Sequence, residues 1–226
     1  TEGQIYANYL LQNKPDAKIA ILYQNDDYGK DYVKGLKDSL GDKADEMIVA
    51  EETYEVTDPT IDSQIINLQN SGANVFYNVT TPKFAAQAIR KVADLGWKPL
   101  HLLNSVSNSV GSVLNPAGLD KSEGVISALY LKDPTDPAWA GDDDYKAWDA
   151  WMDKYYSDGD KTDTFNAYGW ANCHTIVQTI KQMGDNLTRE NFVKQAASLK
   201  DFQAPMLLPG ITINTGPNDF FPIEQM

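Results

Sequence analysis

The chain has 226 residues, enough for one large domain or two small ones. Hydrophobic residues make up 42% and charged residues 23%, the composition of a soluble globular protein. The formal net charge is -13 with no basic cluster, which excludes nucleic acid as an expected partner. No apolar run is long enough to span a bilayer, so no membrane insertion is expected. The opening TEGQIYANYL has neither a charged region nor an apolar region of signal-peptide type. A single cysteine, Cys173, excludes an intrachain disulfide framework.

In chain order, Ile5 to Leu11 reads as the end of a helix with Ile5, Tyr9 and Tyr6 inward, and Pro15-Asp16 as a turn. KIAILY (18–23) is a buried strand. QNDDYG stops it, and from Asp31 onward Tyr32, Val33, Leu36 and Leu40 share one helix face. A strand whose polar loop opens a helix is half of a βαβ unit, and in open parallel sheets ligands bind at such loops. Tyr28 lies in that loop. Met47 to Tyr54 is of β type; 58–71 reads as a helix started by Asp58-Pro59, with Ile61, Ile65 and Leu68 at helical spacing. VFYNV (75–79) is the next strand, followed by a helix opened by Pro82 and closed by Gly96, then a strand over Leu100 to Leu103. Strands alternating with helices of this length imply a parallel sheet with right-handed crossovers.

From about Ser122 the pattern changes. Gly124 to Leu131 is a strand-like link, DPTDP (133–137) a boundary, and helices are expected over 143–156, 164–183 and 188–199, before a short strand at Ile211 to Asn214. These helices carry apolar faces with almost no strands of their own to cover. The Trp148, Trp151, Tyr155 stripe has helical spacing and reads as packing.

Chemistry-bearing residues are sparse. Asp26-Asp27 after a strand has the form of an acidic phosphoacceptor or Mg²⁺ pair, without a partner aspartate or lysine at a later strand end. Cys173 and His174 are adjacent on a helix and point in different directions, and His101 and His174 lack metal-ligand spacing. Asn78-Val79-Thr80 and Asn186-Leu187-Thr188 match the glycosylation pattern by chance. No catalytic residue, metal site or cofactor is expected.

The order KIAILYQNDDYGKDY, GANVFYNVTTPKFAAQAIRKVADLGWKP, HLLNSVSNS and LDKSEGVISALYLKDPTDP, with FFPIEQM closing the chain, resembles the periplasmic solute-binding proteins of ABC transporters. The likeness is to the branched-chain amino acid (Leu/Ile/Val) receptor-like group. It implies a type I periplasmic-binding-protein-like α/β fold: a parallel sheet with helices on both faces, in two lobes joined by hinge crossovers. Residues 1–125 would be most of the second lobe with 211–226 returning to it, and 134–210 the helical part of the first. The first lobe's N-terminal part is missing from this likeness, so the chain reads as a fragment. Its uncovered helical faces, Phe165, Tyr168, Ile176 and Ile180, would recruit a companion N-terminal fragment or a second copy.

The resemblance implies ligand contacts at Tyr28, at Thr80 and Thr81, and at Asn104 and Ser105, with Phe165 and Tyr168 from the helical part. Amino acid-binding members place an acid in the 104–105 loop for the ligand's ammonium, and this loop has none. An unpaired buried ammonium is costly, so an aromatic or other organic acid is the expected ligand. The implied function is a periplasmic, non-catalytic receptor that presents this ligand to an ABC transporter permease, closing by bending near 124–132 and 211–215. The alternatives are a ligand-sensing regulatory domain of the same fold, or an α/β enzyme of phosphoacceptor or hydrolase type.

Overall fold

The computed structural model describes residues 1–226. Its sheet has five strands in the order β2-β1-β3-β4-β5, every pairing parallel. The elements run α1 (Glu2–Asn13), β1 (Ile19–Gln24), α2 (Asp27–Leu40), the single turn α3 (Ala44–Met47), β2 (Ile48–Tyr54), α4 (Asp62–Asn70), β3 (Val75–Val79), α5 (Pro82–Asp94), β4 (Leu100–Leu103), the single turn α6 (Asn115–Ala117) and β5 (Ile126–Ser127). All belong to one unit, residues 1–128. β3 is buried at all five positions, as a central parallel strand with both faces covered must be.

One face of the sheet is covered by α1 and α2, through Tyr6, Ala7, Leu10, Val33, Leu36 and Leu40. The other is covered by α4 and α5, through Ile65, Leu68, Phe84, Ala88 and Val92. The buried face of α1 is Gly3, Tyr6, Ala7 and Leu10, whereas Ile5 and Tyr9 are only half-buried. The reason lies at Gly3, where a Cβ would stand 2.5 Å from the Tyr32 carbonyl oxygen. That close approach seats the Gly3, Tyr6, Ala7 and Leu10 side of α1 inward, beside α2. α4 begins at Asp62, later than Asp58-Pro59 predicts. The Asp58 carboxylate instead accepts the Glu55 N–H at 2.9 Å and closes a turn.

The second unit, residues 129–226, holds α7 (Asp143–Tyr155), α8 (Thr164–Met183) and α9 (Arg189–Ala196). Its core joins Leu131, Ala171, Leu199, Ala204, Leu207, Ile211 and Ile213, with a second cluster of Trp148, Met152, Ala167 and Met206. Residues 211–226, which the sequence reading returned to the first unit, make their contacts here instead. Ile213 exchanges backbone hydrogen bonds with Phe202, and Thr215 Oγ1 is held by Ala196 and Leu199. Within this unit, Lys132 is buried and its ammonium donates to Asp142 at 2.7 Å and Asp144 at 3.2 Å.

α8 has an unusual division of its residues. Its buried side is small (Thr164, Ala167, Ala171, Thr179) up to Met183. Phe165, Tyr168, Ile176, Val177 and Ile180 are all more than 40% exposed. Trp151 and Tyr155 of α7 are exposed as well, so only Trp148 of that stripe is core.

Candidate functional site

Three neighbouring strands, β1, β3 and β4, end on the same side of the sheet, and their following loops carry Tyr28, Thr80-Thr81 and Asn104-Ser105. Asp26 caps α2 by accepting the Gly29 N–H at 3.1 Å, which lets the helix start directly after β1. Gly29 is required there, because a Cβ would lie 2.0 Å from the Gln24 carbonyl oxygen. This tight turn points Tyr28 across the strand ends. Its hydroxyl donates to Asn104 Oδ1 at 2.9 Å.

Asn104 is fully buried and every valence of its amide is used. Oδ1 also accepts the Val106 N–H at 3.0 Å; Nδ2 donates to the carbonyls of Asn78 at 3.0 Å and Thr80 at 2.9 Å. Thr80 is likewise buried, its hydroxyl donating to Asn78 Oδ1 at 2.6 Å and its carbonyl also accepting the Ser107 hydroxyl. Thr81 sits further along the same loop. Its N–H donates to the Tyr54 hydroxyl at 2.9 Å, and that hydroxyl lies 3.1 Å from Gln24 Oε1. Asn104 and Thr80 therefore shape the loops. Tyr28, Thr81 and Ser105 are half-buried and keep surface for a ligand.

Four further residues complete the site. Tyr32, one helical turn after Tyr28, packs edge-on against it with ring centroids 5.1 Å apart. Tyr54 and Gln24 tie the β1 and β3 loops together. Glu2 is the fourth, a buried carboxylate at the start of α1. Its Oε1 accepts the Ser105 N–H at 2.7 Å; its Oε2 accepts the Ser105 hydroxyl at 2.7 Å and the Tyr32 hydroxyl at 2.6 Å. Burial pushes the Glu2 carboxyl above the usual carboxylate range, against the hydrogen bonds from Tyr32 and Ser105. Burial, and then the Glu2 charge, push the hydroxyls of Tyr6, Tyr28 and Tyr32 upward, so they remain protonated donors.

Tyr32 had a signal in the sequence, four residues from Tyr28 on the same helix. Glu2 had none, since 103 positions separate it from Ser105. Phe165 and Tyr168 belong to the second unit, on the exposed side of α8. Asp26, weighed as half of an acidic pair, spends its carboxylate on Gln24 Nε2 and Gly29. His101 is buried with Nε2 3.1 Å from Asn78 Nδ2, and burial pushes its pKa down to about 3. No group of three His, Cys, Asp or Glu side chains is placed to hold a metal ion.

Comparison with known proteins bears on the fold and the family. A family model described as periplasmic binding protein matches residues 1–226. The Leu/Ile/Val-binding protein homolog 1 of Brucella suis is 26% identical over 194 residues, which are 84% of this chain and 48% of the relative. The chain thus spans about half the length of the curated relatives it matches. Among solved structures, a branched-chain amino acid ABC transporter protein from Thermus thermophilus with bound valine superposes with a TM-score of 0.77 at 15% identity, over 96% of this chain and 58% of that one. A fatty acid ABC transporter substrate-binding protein from Thermomonospora curvata gives 0.69 at 21% identity, over 94% and 53%. These neighbours share the type I fold of parallel sheet and flanking helices, and with the whole-chain match they identify the chain as a member of the periplasmic binding protein family.

Proposed function

We propose that the chain is part of an extracytoplasmic solute receptor that captures a small organic acid, aromatic or aliphatic, for an ABC transporter permease. Proteins of this family are receptors, not enzymes. One observation carries the ligand class: the strand-end wall is made of tyrosine rings and hydroxyl donors, and the carboxylates beside it, Glu2 and Asp26, already have both oxygens engaged. A wall of this kind stacks on an apolar or aromatic body and donates to a carboxylate. The fatty acid receptor among the structural neighbours supports the same class. The exposed rings of Phe165 and Tyr168 are the second unit's own candidates for ligand contact.

In this reading the first unit is most of the receptor's second lobe, and α7 to α9 belong to its first. The bare side of α8 is then covered by a sheet from elsewhere in the longer protein, in place of a second copy of this chain. A second reading is favoured by the Brucella relative's name and by the position of Glu2: a branched-chain amino acid whose ammonium faces an ionised Glu2. A thermal-shift panel on the full-length protein separates the two. Ligand at a hundredfold excess over its dissociation constant adds about 2.7 kcal/mol of stability. Benzoate or octanoate should raise the melting temperature where L-leucine and L-valine do not; the reverse order overturns the organic-acid reading.

A further inference from the structure

The two oxygens of Glu2 face different kinds of partner. Oε1 meets the backbone N–H of Ser105, which can only donate. Oε2 meets two hydroxyls, those of Ser105 and Tyr32, each able to donate or to accept. A proton on Oε2 therefore fits the network without moving a heavy atom. The Glu2 O–H would donate to one hydroxyl, and that hydroxyl's own hydrogen would turn away from Glu2. Both hydroxyl residues are only half-buried, so the released hydrogen can reach a bound molecule.

Burial shifts Glu2 toward that state. No Lys, Arg or His forms an ion pair with Glu2, which is 8% exposed. The titratable groups around it are Tyr6 of its own helix, Tyr28 and Tyr32 of α2, and Tyr77 of β3. The loop after β4 adds Ser105 but no charge. Asp26, at the start of α2, acts on Tyr28 and Tyr54. The Tyr77 hydroxyl is buried and has no hydrogen-bond partner, its ring 5.3 Å from that of Tyr6. Burial disfavours the charged form of a carboxylate that no cation pairs, against the hydrogen bonds that Tyr32 and Ser105 donate to it.

We propose that Glu2 is the residue that sets the charge class of the ligand: protonated on Oε2, it frees a hydroxyl hydrogen of Ser105 or Tyr32 to donate to the ligand's carboxylate, so that organic-acid binding takes up one proton from solvent. The inference rests on the organic-acid reading above. Ionised, Glu2 holds both hydroxyls and repels an anion. The same residue thus gives an anionic ligand an affinity that rises as pH falls, and would give an ammonium ligand the opposite slope.

The test is calorimetric titration of the full-length receptor with sodium benzoate between pH 5.5 and 8.5, in buffers of different ionisation enthalpy. Affinity should weaken by up to tenfold per pH unit above the carboxyl's folded pKa, with proton uptake approaching one. Glu2→Gln should abolish both the slope and the uptake, because its amide can meet the same N–H and hydroxyls. Benzoate binding with a flat pH profile, or a slope that survives in Glu2→Gln, overturns the inference and leaves the organic-acid reading intact. Binding of L-leucine but not benzoate removes that reading and the inference with it. Independently of any ligand, the ¹³C resonance of the Glu2 carboxyl, assigned by its loss in Glu2→Gln, should titrate above 4.5. A midpoint at or below that value overturns the inference whatever binds.

Discussion

The Tyr28 hydroxyl and Asn104 Oδ1 lie 2.9 Å apart and 76 residues apart in sequence. This bond joins the loop after β1 to the loop after β4 across the end of β3, so it fixes the spacing of the site before any ligand arrives. Removing the hydroxyl in Tyr28→Phe leaves Asn104 Oδ1 with the Val106 N–H, so stability should fall by only about 1 kcal/mol. Tyr28→Ala also loses the ring, and ligand affinity should fall by about 1–3 kcal/mol. Calorimetry on the two variants checks both; an unchanged dissociation constant in Tyr28→Ala removes Tyr28 from the site.

Asn104→Ala should be more damaging to the fold than either tyrosine change. It strands the Val106 N–H and the Tyr28 hydroxyl, and leaves the carbonyls of Asn78 and Thr80 with one donor each, the residue-104 N–H and the Ser107 hydroxyl. Each stranded group costs about 1–3 kcal/mol, so a urea midpoint lowered by the equivalent of about 3 kcal/mol or more is expected. A loss below about 1 kcal/mol would show that water replaces the amide.

His101 makes stability fall on the acid side. Its folded pKa of about 3 lies below the ordinary 6.5, so the unfolded chain takes up a proton between those values that the folded chain refuses. The loss starts as pH drops through 6.5 and reaches about 3 kcal/mol at pH 4.5, at about 1.4 kcal/mol per unit. Protonated Nε2 would also set an N–H against Asn78 Nδ2. His101→Gln should flatten this acid limb, read from denaturant midpoints at pH 7 and pH 4.5. An unchanged limb assigns the acid sensitivity to other groups.

Lys132 anchors the first residues of the second unit. Lys132→Ala leaves Asp142 and Asp144 facing each other without their cation, and removes a buried stem. The aspartates are partly exposed, so the cost is expected at about 2 kcal/mol rather than the larger values of fully buried pairs. Lys132→Met, which keeps the stem, should cost less. Thermal unfolding of the two variants distinguishes charge from packing.

The bare side of α8 predicts opposite outcomes in two contexts. In the 226-residue chain, Ile176→Lys and Ile180→Lys should reduce dye binding to apolar surface and leave the melting temperature nearly unchanged, since both side chains are nearly half exposed. In the full-length protein the same changes should each cost about 1.5–3 kcal/mol if a sheet covers them. Equal effects in both contexts would mean the side stays in water.

The parallel sheet was legible in the sequence because each strand is a short buried run closed by a polar loop and followed by an amphipathic helix, as in KIAILY-QNDDYG. Tyr28, Thr80-Thr81 and Asn104-Ser105 came from the family resemblance, and that their loops lie on one side follows from the parallel sheet, whose strand ends must fall together. What each does was not reachable. Whether Asn104 faces a ligand or locks the loops depends on four hydrogen bonds made by three separate segments. Glu2 escaped because its partner is 103 residues away and nothing in a helix's first turn records that Gly3 brings it close against α2. Residues 211–226, expected with the first unit, group with 129–226 instead, because a four-residue segment such as Ile211 to Asn214 carries no record of which layer it will join.

The strand order acts as a ruler. β1 and β4 stand on either side of β3, two inter-strand spacings or about 10 Å apart. A tyrosine reaching from one edge of that gap meets an asparagine on the other, and a shorter side chain at position 28 would not. Side chains lining the gap can be exchanged to suit different molecules, but its width belongs to the backbone. The distance that residues 28 and 104 must bridge is therefore set before their side chains are chosen.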